Sequence, residues 1–233
     1  MCGIVGYVGT NNVPNREYFA LDVVLEGLRR LEYRGYDSAG VAMLEGGKIN
    51  FRKKAGKVAG LDEEIARDPL PDSVVGIGHT RWATHGAPTD ANAHPHVVDG
   101  GKLAVVHNGI IENFAELKTE LAAKGYTFAS ETDTEVAATL LGDIMNGEGN
   151  GDLTESMRLT CNRLEGAFTL LALHVDFPDR IVAARRNSPL VIGLGEGENF
   201  LGSDVSGFID YTKNAVEMAN DQIVTITAND YSI

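Results

Sequence analysis

The chain has 233 residues, 43% of them hydrophobic, and a formal net charge of −13, which suits one large domain or two small ones with a substantial core. The acidic balance argues against nucleic acid and anionic membranes as partners, although acidity that serves solubility alone would look the same. Two cysteines are too few for a disulfide framework, and neither a membrane span nor a secretory signal is found, so we expect a soluble protein of the reducing cytoplasm.

Short runs rich in apolar and β-branched residues predict strands along the whole chain. They are Gly3–Val8, Val41–Leu44, Ile49–Lys53, Val74–Ile77, Leu103–His107, Phe168–Val175, Ile181–Ala184, Leu190–Ile192, Phe200–Gly202 and Ile223–Thr227. Glycine turns at 45–47 and 99–101 predict antiparallel hairpin connections. Thr10–Phe19 has no such pattern and is predicted to be a variable loop.

Apolar residues at helical spacing predict helices in four places. They are Leu21–Leu31, Phe114–Leu121 with Gly125 placed to end it, Val136–Ile144, and about Thr154 to Leu164. Thr132 with Glu135 predicts a capping box before the third helix, and Cys161 falls on the apolar side of the fourth, as a core thiol would. Because the strands cluster instead of alternating with helices, the pattern predicts an α+β fold with antiparallel sheets.

A cysteine directly follows Met1. Removal of Met1, which is usual before a small residue, would leave Cys2 with its thiol and a free α-amine on the same carbon. An α-amine has a pKa of about 7.7–8.0 and can accept the proton of the thiol at neutral pH. The start of the chain therefore predicts Cys2 as a nucleophile that carries its own base, whereas a cysteine at this position can also be accidental.

The segment Gly78–Gly86 (Gly-His-Thr-Arg-Trp-Ala-Thr-His-Gly) follows an apolar strand and holds the only tryptophan of the chain. Arg81 can grip a carboxylate with two parallel hydrogen bonds, and Trp82 can cover a ligand from a loop hinged at Gly86. The alternatives are an arginine in a surface ion pair and a tryptophan in the core.

The predicted strand Leu103–His107 runs into Asn108-Gly109. Asn-Gly is the strongest hairpin signal, but the residues that follow lead into a helix and not into a partner strand. The alternative is an oxyanion hole, in which the Asn108 side-chain amide and the Gly109 backbone N–H converge on one developing negative charge.

Acidic residues precede the third predicted helix in the segment Glu131–Glu135. Asp133 suits plain capping, because the helix dipole favours a negative charge at this end. The same carboxylate can also face a substrate ammonium, and the two roles are compatible because capping holds the loop rigid.

Five of the six histidines lie between His79 and His107, which raises the question of a metal site. The sequence has no His-Glu-x-x-His motif and no cysteine pair near them, and Pro95 separates His94 from His96. We therefore expect neither a metal nor another cofactor.

Six segments together resemble the class II glutamine amidotransferases, a branch of the N-terminal nucleophile hydrolases, and within them the glutaminase domains that serve amino-sugar formation. The segments are Met1–Ile4, Arg29–Gly40, His79–Gly86, Asn92–His96, His107–Asn113 and Glu131–Glu135.

The resemblance implies a four-layer αββα sandwich, with helices outside two antiparallel sheets. It implies a glutamine amidotransferase with Cys2 as nucleophile and with Asn108 and Gly109 as oxyanion hole. The implied contacts to L-glutamine are Arg81 for the α-carboxylate, Asp133 for the α-ammonium, Thr84 and His85 as pocket lining, and Trp82 in the closing loop.

In that branch a sugar-phosphate isomerase module follows the glutaminase domain in a homo-oligomeric parent, whereas this sequence stops at Ile233. We therefore expect residues 1–233 to be the glutaminase domain, with the isomerase module of the parent as its partner. A glutaminase domain that serves purine or asparagine biosynthesis is one alternative, against which the segments 33–40 and 79–86 argue. A non-catalytic regulatory domain is another, against which the intact site residues argue.

Overall fold

The computed structural model describes residues 2–10 and 18–233. Its strands are β1 Gly3–Gly9, β2 Ser38–Glu45, β3 Lys48–Ala55, β4 Val75–Arg81, β5 His96–Val98, β6 Leu103–Ile111, β7 Gly166–His174, β8 Arg180–Arg186, β9 Val191–Leu194, β10 Glu198–Gly202, β11 Ala215–Glu217, β12 Gln222–Thr227 and β13 Tyr231–Ser232. Its helices are α1 Ala20–Leu31, α2 Val58–Arg67, α3 Phe114–Ala123, α4 Asp133–Asn146 and α5 Leu153–Arg163. Met1 and residues 11–17 lie outside the described residues, and with them the predicted removal of Met1 and most of the predicted loop 10–19.

The strands form two sheets in which every described pairing is antiparallel. One sheet has seven strands in the order β11-β9-β10-β1-β4-β2-β3, and the other has six in the order β13-β12-β8-β7-β6-β5. The glycine turn between β2 and β3 has positive φ at both Gly46 (59°) and Gly47 (70°), as the two-residue hairpin turn requires. Strands β1 and β4 lie side by side in the middle of the larger sheet, which places both in the core.

Three hydrophobic clusters define four layers. Between the sheets, Ile4 and Ile77 of the larger sheet pack with Val106 and Leu171 of the smaller one. A second cluster joins α1 and α2 to the outer face of the larger sheet, and a third joins α3, α4 and α5 to the outer face of the smaller sheet. The layers therefore follow the order helices, sheet, sheet, helices, which confirms the predicted αββα sandwich.

Three strands and one helix were not predicted from the sequence. The strands β5, β11 and β13 have only two or three residues each, which is too short for an alternating pattern. Helix α2 buries only Val58 and Leu61, so its apolar stripe is too sparse to recognise. The predicted core position of Cys161 is confirmed, because its side chain is buried in the cluster that joins α5 to the smaller sheet.

None of the helices within the described residues is long and apolar enough to cross a membrane.

Candidate active site

Cys2 lies directly before β1, and its side chain is partly buried at one end of the sandwich. Antiparallel pairing of β1 with β4 brings it beside Arg81, the last residue of β4. The Cys2 sulfur accepts a hydrogen bond from the backbone N–H of Trp82 at 3.2 Å, and the Cys2 carbonyl oxygen accepts one from the Asn108 side-chain amide at 2.9 Å. Burial raises the pKa of the Cys2 thiol above its usual 9.0, although the Trp82 hydrogen bond and the Arg81 charge oppose the rise.

Asn108 and Gly109 lie inside β6 and pair with β7, so they do not form the hairpin turn that their sequence allows. Gly109 has a φ of 123°, and a β-carbon at this position would lie 2.0 Å from the Ala167 carbonyl oxygen. Only glycine fits there. Both residues line a cleft that reaches Cys2. Strand β6 thus brings the side-chain amide of Asn108 and the backbone of Gly109 close to the thiol.

Arg81 and Asp133 line, together with Cys2, a small cavity. Both charged side chains are buried. The Arg81 guanidinium donates hydrogen bonds to the carbonyl oxygens of residues 85–87, so it is not in a surface ion pair. Asp133 is the first residue of α4, and its Oδ2 accepts a hydrogen bond from the backbone N–H of Ile111 at 2.9 Å. A cation and an anion are therefore held in fixed positions beside the thiol.

The start of α4 is capped in a way that differs in one bond from the predicted capping box. The Thr132 hydroxyl accepts from the Glu135 backbone N–H at 3.2 Å, as predicted. The Glu135 carboxylate, however, accepts from the backbone N–H groups of Ala129 and Ser130, because the Thr132 N–H already donates to the Ser130 hydroxyl. These bonds hold the loop before α4, and Asp133 with it.

The segment 82–86 forms the rim of the cavity. Trp82 is 45% exposed and meets Tyr36 edge to face at 5.4 Å between ring centroids, so it is not a core tryptophan. Thr84 lines the cavity, whereas the His85 ring packs against Phe114 and is not among the described cavity-lining residues. The backbone carbonyl of His85 nevertheless takes part in the site, since it accepts from Arg81.

Asp37 is a residue of the site that the sequence reasoning did not single out. Its Oδ2 accepts from the Ala83 backbone N–H at 2.9 Å, and its own N–H donates to the Arg81 carbonyl oxygen at 2.9 Å. Asp37 therefore ties the start of the segment 82–86 to the chain before β2. The available signal was its place in the segment 29–40, on which the family resemblance partly rests.

Four histidines, His79, His94, His96 and His107, are buried next to one another at the cavity, and His94 and His107 form part of its wall. The ring centroids of His79 and His94 are 4.1 Å apart, and those of His94 and His96 are 5.0 Å apart. Burial lowers the pKa of all four imidazoles, that of His79 to about 3, so they are neutral at neutral pH. Within residues 2–10 and 18–233, no group of three or more His, Cys, Asp or Glu side chains is arranged to hold a metal ion.

A larger, open cleft meets the small cavity at Cys2, Trp82, Thr84 and Gly109. Arg34, Ile110 and Ser188 contribute to its other walls. The thiol therefore has the charged cavity on one side and a cleft that opens to solvent on the other.

Comparison with known families and curated proteins gives consistent matches. The family described as "Glutamine amidotransferase domain" matches residues 79–210. The chain is 78% identical over 233 residues to glutamine–fructose-6-phosphate aminotransferase (isomerizing) of Corynebacterium diphtheriae, a match that covers 100% of this chain and 37% of the relative. The enzyme of the same name from Streptomyces coelicolor is 61% identical over 226 residues, or 97% of this chain and 35% of the relative. The chain thus spans little more than a third of the length of these relatives.

Comparison with solved structures supports the fold. A structure of the allosteric regulatory enzyme of purine biosynthesis matches with a TM-score of 0.80 and 25% identity, over 97% of this chain and 47% of that chain. A glutamine phosphoribosylpyrophosphate amidotransferase from B. subtilis matches with a TM-score of 0.79 and 24% identity, with the same coverage. Both likenesses agree with the αββα arrangement of the layers described above.

Proposed function

This chain belongs to the family of glutamine amidotransferase domains, and on that premise we propose that it hydrolyses L-glutamine to glutamate and ammonia through a γ-glutamyl thioester on Cys2. The observation that carries the proposal is the convergence of Cys2, Arg81 and Asp133 on one small cavity. Glutamine has an α-carboxylate, an α-ammonium and a distal carboxamide, so a selective site needs a cation, an anion and a nucleophile. The cavity offers one residue for each.

Arg81 would bind the α-carboxylate and Asp133 the α-ammonium. A guanidinium has five N–H donors, so Arg81 can hold the carbonyl oxygens of residues 85–87 and still offer donors to a substrate. The bond from the Ile111 N–H occupies only part of the acceptor capacity of the Asp133 carboxylate. Burial strengthens both contacts, because charges attract more strongly where water is excluded.

The chemistry begins with the Cys2 thiol, which transfers its proton to the α-amine of Cys2 once Met1 has been removed. The thiolate attacks the carboxamide carbon, and the negative charge that develops on oxygen is stabilised by the Asn108 amide and the Gly109 N–H. The Asn108 amide has two N–H groups, of which one is bonded to the Cys2 carbonyl oxygen, so the second is available for the oxyanion.

The ammonium of Cys2 then protonates the departing nitrogen, and ammonia leaves as the carbon–nitrogen bond breaks. Water hydrolyses the thioester to glutamate and restores the thiol. The open cleft beside Cys2 is the route by which water enters and ammonia leaves. Segment 82–86, with Trp82, Thr84 and His85, would close over the bound substrate and contribute to its pocket.

In the longer parent, the ammonia would pass to fructose 6-phosphate and give glucosamine 6-phosphate. This part of the proposal rests on the activity for which the relatives are named, and those relatives are nearly three times as long as this chain. Residues 1–233 would be the glutaminase domain of that parent, and the sugar-isomerising part would be its partner.

The decisive experiment measures ammonia release from L-glutamine by the Met1-processed chain and by its Cys2→Ala variant. We expect release by the first and none by the variant, with both proteins folded as judged by circular dichroism. Detection of a γ-glutamyl adduct on the Cys2 peptide by mass spectrometry would identify Cys2 as the residue that carries the thioester. Ammonia release by the Cys2→Ala variant at the rate of the unsubstituted chain would overturn the assignment of Cys2 as the nucleophile.

A further inference from the structure

His79 connects the two sheets directly behind the thiol. It lies on β4 in the seven-stranded sheet, and its ring crosses to β6 in the six-stranded sheet. There its Nε2 lies 2.8 Å from the His107 carbonyl oxygen and 3.0 Å from the Asn108 Oδ1. The His79 side chain is completely buried, so no solvent competes for these contacts.

The tautomer of His79 follows from these partners. A backbone carbonyl oxygen can only accept, so Nε2 must carry the proton and donate to the His107 oxygen. The Asn108 atom that faces the same N–H must then also be an acceptor, which is the side-chain oxygen. The Asn108 nitrogen is consequently directed the other way, towards the Cys2 carbonyl oxygen at 2.9 Å.

The opposite orientation of the Asn108 amide would place its NH₂ group against the His79 N–H, with two donors facing each other. It would also present the amide oxygen to the place where negative charge develops during catalysis. Since a buried donor that lacks an acceptor is costly, the His79 hydrogen bond selects one of the two amide orientations. That orientation is the one an oxyanion hole needs.

We propose that His79 is a positioning residue for the oxyanion hole, because its Nε2–H fixes the Asn108 amide with the nitrogen towards the reacting carbon. The inference rests on the proposed glutaminase function and deepens it. His79 touches neither the substrate nor the sulfur in this role; it acts only through Asn108. The His107 carbonyl oxygen keeps the proton on Nε2, and burial lowers the pKa of His79 to about 3, so Nδ1 stays unprotonated at neutral pH.

The test is a double-mutant cycle on the Met1-processed chain, with His79→Leu and Asn108→Ala alone and combined. His79→Leu is expected to lower kcat about 10- to 100-fold, somewhat less than the 10²- to 10³-fold typical of losing an oxyanion donor, with KM changed little. In the Asn108→Ala background the same substitution should change kcat less than about twofold, since the group it orients is gone. An equal loss of kcat in both backgrounds, or a change in KM alone, would overturn the proposal.

Two further variants separate positioning from stability. His79→Gln retains an amide donor and should recover part of the kcat lost in His79→Leu. His174→Leu removes a buried imidazole from β7 and should reduce stability while leaving kcat unchanged. If His79→Leu does not fold, ¹⁵N chemical shifts of the labelled wild-type imidazoles still decide the matter. They should report a protonated Nε2 and a bare Nδ1 for His79, and the reverse tautomer would refute the inference.

The cycle also distinguishes failure of this inference from failure of the proposed function. A wild-type chain that releases no ammonia refutes the function. An active wild type whose two substitutions act independently refutes only the role of His79.

Discussion

Trp82 and Cys2 are joined through the backbone of one and the sulfur of the other. The Trp82 N–H donates to the Cys2 sulfur at 3.2 Å, and the Trp82 carbonyl oxygen lies 3.6 Å from the same sulfur. The first residue of the segment 82–86 is therefore bonded to the proposed nucleophile, while its indole ring remains half exposed. Movement of this segment would break the hydrogen bond to the Cys2 sulfur, and with it a contact that lowers the pKa of the thiol.

The first prediction concerns the reactivity of this thiol in the chain that retains Met1. Because burial raises the pKa of Cys2 above 9.0, the thiolate is a minor form at pH 7. Alkylation by iodoacetamide should therefore accelerate about tenfold per pH unit up to pH 9. Mass spectrometry of the Cys2 peptide measures the alkylation rate. The Cys161 peptide serves as internal control and should react more slowly, since burial raises the pKa of that thiol to about 12.

In the processed chain the free α-amine can take the proton, so alkylation of Cys2 at pH 7 should be faster than in the Met1-bearing chain. A plateau below pH 8 in the Met1-bearing chain would contradict the raised pKa.

The second prediction separates the charge of Asp133 from its hydrogen bond to Ile111. Asp133→Asn keeps an oxygen that can accept from the Ile111 N–H but removes the charge, whereas Asp133→Ala removes both. Loss of a charge-assisted contact to the α-ammonium should raise the KM for glutamine about 10- to 100-fold in both variants. Only Asp133→Ala should also lower the thermal midpoint. Unchanged KM in Asp133→Asn would leave Asp133 as a structural cap.

The third prediction uses two glycines with positive φ. Gly109→Ala would place a β-carbon against the Ala167 carbonyl, whereas Gly125→Ala meets nothing within 4 Å at a φ of 97°. The control should lose only the cost of a left-handed alanine, about 1–2 kcal/mol. Gly109→Ala should lose a further ~1–3 kcal/mol of stability from the clash, and its kcat should fall because the backbone N–H moves. Urea unfolding measures the stability and steady-state kinetics measure kcat. Equal losses of stability and kcat in the two variants would contradict the role of Gly109 in the oxyanion hole.

The fourth prediction follows from the buried histidines. Their pKa values are lowered in the folded protein, that of His79 to about 3, so the unfolded chain binds more protons below its own histidine pKa of about 6.5. Stability is therefore complete above that pH and falls as the pH drops towards the folded values, by up to ~1.4 kcal/mol per pH unit for each histidine. Urea unfolding between pH 7.5 and 4.5 measures the slope. His94→Leu should have a shallower slope by about one proton, and parallel curves for the two proteins would speak against a neutral His94.

Much of the fold was predictable from local pattern. Helix α1 buries one apolar face, which leaves a helical period in the sequence. Strands such as β1 and β7 are buried on both faces, which leaves a continuous apolar run instead. Helix α2 and the shortest strands were not predicted, because they bury too few residues to leave a recognisable pattern in the sequence. The Asn108-Gly109 pair is the instructive case, since its local preference is a hairpin turn but pairing with β7 holds it in a strand. Here long-range hydrogen bonds prevail over a local signal.

The sequence by itself determined which groups this protein has for chemistry: a cysteine behind Met1, an arginine and an aspartate of opposite charge, and an Asn-Gly pair. These can be read locally because each depends on a side chain or on a glycine backbone. Only the tertiary structure decided that Cys2 meets Asn108, 106 residues away in the chain, and that His79 holds the amide of Asn108 from the opposite sheet. The physical reason is that hydrogen bonds across two packed sheets depend on strand order and register, which leave no local periodicity in the sequence.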